Sequence, residues 1–305
     1  MNLVKIGHAE LGVRDLDEAA AFYIDVLGFV ETAREADRLY LRGVSDTDHH
    51  SLILSRAEGP ELIHFGWRVD RPEALRELER RFRREGRPTR WISAGEERGQ
   101  GEALRVHDLC GHPVEFYYTM ERVESLARKA HLWRGAVPQW LDHVALFTPD
   151  VDAGVKYYQA MGLHLSEYVD AENGDGMFAA WLHRTSSSHD IALVHKPQPG
   201  MQHVSFWVAN ALQVIHVADV VADAGWAACI EFGPGRHKAT NSMFIYLRDP
   251  SGNRLEFYSE GYWIPDMDAP PIHWTFEDYK REGRLSWGER APASFFEPIP
   301  VRSWA

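Results

Sequence analysis

The sequence predicts an α+β protein of two homologous halves, each a pair of βαβββ modules. Three observations carry this. Short apolar runs of strand type alternate with stretches whose apolar residues recur every three or four positions. The same order of runs occurs twice along the chain. Within each half the order strand, helix, strands is itself doubled. The 305 residues are enough for about two domains.

Each element has a counterpart. The first run, residues 6–11, holds His8 and is followed by Asp15 at a helix start. Leu16, Ala19, Ala20, Tyr23, Val26 and Leu27 then trace one helix face, and Gly28 stands at the stop. The run 141–146 holds His143 and is followed by Asp150, by Val151, Val155, Tyr158 and Met161, and by Gly162 at the stop. Residues 62–67 hold His64, and 201–206 hold His203. A helix follows each, through Leu75, Leu78 and Phe82 to Gly86, and through Val214, Val217 and Val221 to Gly225. Finally Asp108 and Gly111 frame a turn before a strand holding Glu115, as Asp249 and Gly252 do before Glu256.

The offsets His8 to His143, His64 to His203 and Glu115 to Glu256 are 135, 139 and 141 residues. Such small drift in one order indicates duplication. The expected domains are 1–130 and 137–262, with a linker over 122–136. The proline-rich tail 263–305 is expected to wrap the surface, anchored by Trp274, Trp287, Phe295 and Phe296.

Composition excludes some functions. Lys+Arg is 33 and Asp+Glu is 45, a net charge of −12 that argues against general nucleic-acid binding. No run of about 18 uncharged apolar residues predicts a membrane-spanning helix. The first residues lack the apolar core of a signal peptide. Two cysteines, Cys110 and Cys229, are too few for a disulfide framework, so a cytoplasmic location is expected. The basic run Arg80, Arg81, Arg83, Arg84 is interleaved with Glu79 and Glu85 and reads as a solvated helix face.

Chemistry enters with the trios His8, His64, Glu115 and His143, His203, Glu256. A lone strand histidine is usually a packed or surface residue. Three such residues recurring in register carry more weight. Two imidazoles and one carboxylate on neighbouring strands occupy one face of a metal and leave the other to outside ligands, as in the facial triad of non-haem Fe(II) oxygenases. The repeat by itself establishes ancestry rather than metal binding in either half.

Longer motifs separate the halves. They are Leu-Asp-His-Val-Ala-Leu at 141–146, Ala-Ala-Trp-Leu-His-Arg at 179–184, His-Asp-Ile-Ala-Leu at 189–193 and Gln-His-Val-Ser-Phe at 202–206. Gly-Pro-Gly-Arg-His at 233–237 and Tyr-Leu-Arg-Asp-Pro-Ser-Gly-Asn-Arg-Leu-Glu at 246–256 complete the set. On these stretches the chain resembles the type I extradiol ring-cleavage dioxygenases of the vicinal oxygen chelate superfamily, whose fold is glyoxalase-like. The likeness runs to about residue 262 and is nearest to the catechol and homoprotocatechuate 2,3-dioxygenase branch.

The resemblance implies roles. His143, His203 and Glu256 would hold Fe(II), with Mn(II) accepted by the same donors. His189 would assist oxygen activation and proton transfer, Tyr246 would hydrogen-bond the bound diol, and His237 would lie beside a substrate oxygen. Trp181 would wall the ring pocket. Substrates would be an aromatic diol and O2, opened beside the two hydroxyl-bearing carbons to a muconic semialdehyde-type product. A homotetramer is also implied. No G-x-G-x-x-G opens a helix after a strand, so no dinucleotide is expected.

Two departures bear on the substrate. Phe232 stands where the homoprotocatechuate enzymes would carry an Arg for the side-chain carboxylate, and Ala145 where that branch tends to have Asn. An uncharged catechol is therefore expected at a site including Phe232, with Arg281 and Arg284 in the tail left as anion partners for a homoprotocatechuate alternative. A non-catalytic aromatic-binding protein on the same fold is a second alternative. A 4-hydroxyphenylpyruvate dioxygenase-like enzyme would not predict His189, Tyr246 and His237 together, and glyoxalase I relatives need a fourth protein ligand not evident here. In the first half His50 precedes His64 as His189 precedes His203, but Arg105 stands at the place of Tyr246. A cation beside a divalent metal is unfavourable, so the first half is expected to be metal-free and non-catalytic.

Overall fold

The computed structural model describes residues 2–304. The first sheet begins with β1 (Leu3–Val13), α1 (Leu16–Ala20), β2 (Val30–Arg34), β3 (Arg38–Arg42) and β4 (Leu52–Arg56). Its second module is β5 (Glu61–Val69), α2 (Glu73–Arg84), β6 (Arg90–Ile92), β7 (Ala103–His107) and β8 (Pro113–Tyr117). The second sheet repeats this with β9 (Trp140–Thr148), α3 (Val151–Gln159), β10 (His164–Asp170), β11 (Met177–His183) and β12 (Ile191–His195). It continues through β13 (Gly200–Trp207), α4 (Ala211–Asp223), β14 (Ile230–Arg236), β15 (Met243–Arg248) and β16 (Arg254–Ser259), and the tail adds β17 (Ile272–Trp274). Strand orders are β2-β3-β4-β1-β5-β8-β7-β6 and β14-β15-β16-β13-β9-β12-β11-β10-β17. Among the described residues no helix is long and apolar enough to cross a membrane.

Local chemistry explains the helix ends. Asp15 accepts from the amides of Asp17 and Glu18, and Asp150 from that of Ala153, so both first helices start on an acidic cap. The helix expected from Leu16 to Leu27 is regular only to Ala20; Ala21–Val26 continue as a wider π-helical turn. In α2, Ala74, Leu75, Leu78 and Phe82 are buried, while Arg81 and Arg83 pair with Glu85 and Glu79 at the surface.

The two halves share one apolar core, with Phe29 against Phe206 and Trp67 against Tyr158. They also clasp each other in a reciprocal way. Tyr23, from the first helix of one half, donates to Asp249 at 3.0 Å. Its counterpart Tyr158 donates to Asp108 at 2.9 Å. Each of these aspartates closes its own turn by accepting from nearby backbone amides. The same turns reach across through Asn253 to the Gly12 carbonyl and through His112 to the Phe147 carbonyl.

The tail does more than cover the surface. Strand β17 extends the second sheet beside β10, and Trp274 Nε1 donates to Glu167. Phe295 packs on Phe232 and Tyr246, and Phe296 on Phe295. Trp287 is the exception among the expected anchors: its ring is half exposed, and its backbone carbonyl, accepting from the Arg236 amide, holds the segment instead.

The reciprocal clasp predicts that Tyr23→Phe and Tyr158→Phe each cost about 1–3 kcal/mol, because a buried carboxylate loses a donor in either case. Urea unfolding should show both midpoints lowered; a change at one position alone would refute the equivalence.

Candidate metal and ring-cleavage site

Strand register gathers the predicted residues. Ser205 pairs with both His143 and Glu256, Glu256 pairs with Tyr246, and Tyr246 with Phe232. Residues directly opposite one another point to one face, so His143, Glu256 and Tyr246 share a face in one cross-strand row. A second row runs Trp181, Ala192, Ala145, His203. Two bulges in the β9–β13 pair shape the site: Asp142 and Gln202 each fall at a register shift beside a ligand histidine.

The donors converge. His143 Nε2 and His203 Nε2 are 3.0 Å apart, and Glu256 Oε2 lies 3.0 Å from the first and 3.2 Å from the second. All three residues are buried, and Glu256 Oε2 has no hydrogen-bond partner. Separations near 3 Å are the edges of a coordination polyhedron with bonds of about 2.1 Å, so the donors fit a divalent metal. The ring orientations are fixed from behind. His143 Nδ1–H donates to Asp142 at 2.9 Å, and His203 Nδ1–H donates to the Gln202 side-chain carbonyl, which turns both Nε2 atoms toward Glu256.

Burial pushes both imidazoles toward neutrality, and at His203 it prevails, leaving that ring at about 4. At His143 the contacts with Asp142 and Glu256 outweigh burial and hold it up at about 9. Burial opposes the charge on Glu256, but His203 and His143 hold its carboxyl well below the usual range.

The three expected catalytic residues ring this centre. His237 Nδ1–H donates to the Arg284 carbonyl at 2.6 Å, so its Nε2 accepts from the Tyr246 hydroxyl at 3.1 Å. Burial raises the Tyr246 hydroxyl well above its ordinary range and lowers His237, so the pair is a protonated phenol and a neutral imidazole. The ring of His189 lies 3.9 Å from that of His143 and is held neutral by burial and by that neighbour.

Trp181 sits slightly apart, in an apolar cluster with Ala145, Ala192 and Tyr279. Phe232 lies behind Tyr246, stacked on it at 5.7 Å and edge-to-face with Phe295 at 5.0 Å, rather than beside the donors. Sequence reading missed Asp142 and Gln202, since a neighbour along a strand normally faces the other way. It also missed Ser188, whose hydroxyl is 3.0 Å from His189 Nδ1 and 2.7 Å from the Tyr258 hydroxyl. Tyr279 and Arg284 come from a tail with no readable period.

Residues 5–116 and 140–257 each match the glyoxalase/bleomycin resistance protein/dioxygenase superfamily. The chain is 32% identical over 300 residues to the manganese-dependent 2,3-dihydroxybiphenyl 1,2-dioxygenase of Geobacillus genomosp. 3, covering 94% of each chain. It is 31% identical to the metapyrocatechase of Pseudomonas sp. (strain CF600), covering 90% of this chain and 92% of that one. Homoprotocatechuate 2,3-dioxygenase from Brevibacterium fuscum, solved with 3,4-dihydroxyphenylacetate, superposes with a TM-score of 0.93 at 32% identity, covering 98% of this chain and 93% of that one.

The geometry predicts a pH-dependent metal affinity. Because His143 keeps a proton until about pH 9, a metal must displace it at lower pH. Affinity should rise about tenfold per pH unit from about pH 6 to 9 and then level, as read by competition with a chromophoric chelator; a flat profile would refute this.

Proposed function

This chain belongs to the glyoxalase/bleomycin resistance protein/dioxygenase superfamily, and within it to the extradiol dioxygenases; from that premise we propose that its second half opens an uncharged catechol beside the diol. The observation that carries the reading is the single-faced set of His143, His203 and Glu256 flanked by His189, His237 and Tyr246. His143, His203 and Glu256 would hold Fe(II) or Mn(II), which supplies Lewis acidity toward the diol and a path for ring electrons to dioxygen.

The surrounding side chains do the rest. On substrate binding Tyr246, kept protonated by burial, would turn its hydroxyl from His237 Nε2 to a diol oxygen. His237, fixed through Nδ1 on the Arg284 carbonyl, presents Nε2 as the acceptor for a diol proton. His189 lies on the other flank, and as a neutral imidazole takes up and returns a proton during cleavage. Two carbon–oxygen bonds form while one ring carbon–carbon bond and the O–O bond break. The ring supplies all four electrons, and both oxygen atoms end in the product. No flavin or nicotinamide is needed.

Support for an uncharged substrate comes from the positions where an anion partner would stand. Phe232 is packed between Tyr246 and Phe295, so no guanidinium stands there to fork a carboxylate. Arg281 is bound to Asp278 and Glu282 at the surface, and Arg284 lies 5.5 Å over the rings of Tyr279 and Phe296. A purely aromatic-binding protein would leave the convergence of two imidazole nitrogens and a partnerless carboxylate oxygen without purpose. The first half is non-catalytic in this reading: Glu10 takes the place of Ala145 and Arg105 that of Tyr246, and both are buried.

The test is anaerobic loading with Fe(II) or Mn(II), then catechol and oxygen, followed by the absorbance of the yellow ring-opened product. Turnover is expected, with His143→Ala lowering kcat at least about a thousandfold and Tyr246→Phe about tenfold to a hundredfold. The ratio kcat/KM should favour catechol and 3-methylcatechol over 3,4-dihydroxyphenylacetate by about tenfold or more. Preference for the acid would overturn the uncharged assignment, and absence of any product would overturn the activity.

A further inference from the structure

The first half contains a second convergence of donors. His8 Nε2 and His64 Nε2 are 2.9 Å apart, and Glu115 Oε1 is 3.3 Å from the first and 3.8 Å from the second. A fourth donor, Glu97, comes within 3.8 Å of His8 and 3.7 Å of His64. One atom from each of the four residues lies within 4.8 Å of all the others, and all four side chains are buried. Glu97 precedes His237 by 140 residues, inside the range of offsets that relates the two halves. A carboxylate thus stands where the second half has an imidazole that is not a metal donor.

Two further features point to a cation. First, Glu10, Glu97 and Glu115 are three carboxylates in one buried space, met there by a single buried guanidinium, Arg105. Arg38 also approaches Glu10, at 3.9 Å, but from the partly exposed edge. Second, the histidines are aimed. Glu10 Oε2 lies 2.8 Å from His64 Nδ1, the arrangement that turns a ligand's Nε2 toward a metal. Gly66 lies under His8, and a Cβ there would fall 2.2 Å from His8 Cε1; only glycine lets the ring lean across to His64.

Arg105 is compatible with this arrangement. Its Nε donates to Glu115 Oε2 at 2.7 Å and it also donates to Glu97, while the Gln100 side-chain amide donates to Glu115 Oε1 at 2.7 Å and to Glu97 Oε2 at 3.2 Å, so a cation would share these carboxylates with both side chains. The expectation of a metal-free first half rested on Arg105 as a cation facing the donors; in the fold its charge is engaged by those two carboxylates.

We propose that His8, His64, Glu97 and Glu115 bind a second divalent cation, of the Mn(II), Fe(II) or Zn(II) class, in a closed structural site. Four protein donors make such a site complete, whereas the second half has three and keeps room for substrate. The cation enters during folding, since every donor is buried, and takes no part in turnover.

The test counts metal on the full chain expressed in medium supplemented with Mn(II), Fe(II) and Zn(II), using mass spectrometry after desalting. Two equivalents are expected in the natural sequence and one in the His143→Ala/His203→Ala double variant. Glu97→Gln should keep turnover, lose close to one equivalent and unfold at lower temperature. Anomalous-scattering peaks in crystals of the unaltered protein would place the ion between His8 and His64 whether or not any variant folds. One equivalent in the natural sequence with none in the double variant, or a crystal with density only at His143, would overturn the proposal. Loss of turnover with two equivalents retained would instead count against the ring-cleavage reading alone.

Discussion

The site depends on strand register. Side chains alternate faces along a strand, so sliding β9 by one residue against β13 would move His143 to the opposite face and dismantle the donor set. Two bulges pin that register, and they sit where Asp142 and Gln202 need to reach the backs of the ligand rings. The first sheet carries the same two irregularities between β1 and β5, now at Gly7 and Ile63. The duplication therefore preserved a backbone device, while the residues placed in it diverged.

That divergence separates the halves chemically. At the place of Asp142 the first half has Gly7, where a Cβ would fall 1.9 Å from the Tyr117 hydroxyl. No carboxylate can reach His8 from there, and its Nδ1 has no hydrogen-bond partner. Glu10, from the same strand, approaches the other histidine instead. One half thus spends its polar groups on each other and closes. The other leaves a neutral His189, a protonated Tyr246 and the small side chain of Ala145 around its donors, a combination suited to a ligand that arrives and leaves.

Much of this was legible in the chain. The order and spacing of His8, His64 and Glu115 against His143, His203 and Glu256 gave the duplicated modules, because strand periodicity and helix stops are local signals. The acidic caps at Asp15 and Asp150 were readable for the same reason. The π-helical turn after Ala20 was not, since apolar spacing of three and four fits either helix type over so short a stretch. Asp142 and Gln202 were hidden because bulges override simple alternation. Glu97, in the proposed second site, carried a signal that could have been used: it obeys the offset of His64 and Glu115 but sits in a loop, where periodicity offers no guide. Ser188 and the tail residues act through contacts that depend on the assembled fold.

The tail has a consequence for assembly. His237 is oriented by a carbonyl at Arg284, and Tyr246 is backed by Phe295. Beyond these, Ile299 pairs with Met201, and Arg302 reaches Glu61 in the opposite half. A chain whose tail has not docked would still bring His143, His203 and Glu256 together, yet His237 and Tyr246 would lack these supports. Docking of the tail is thus the step that completes the proposed ring-cleavage site.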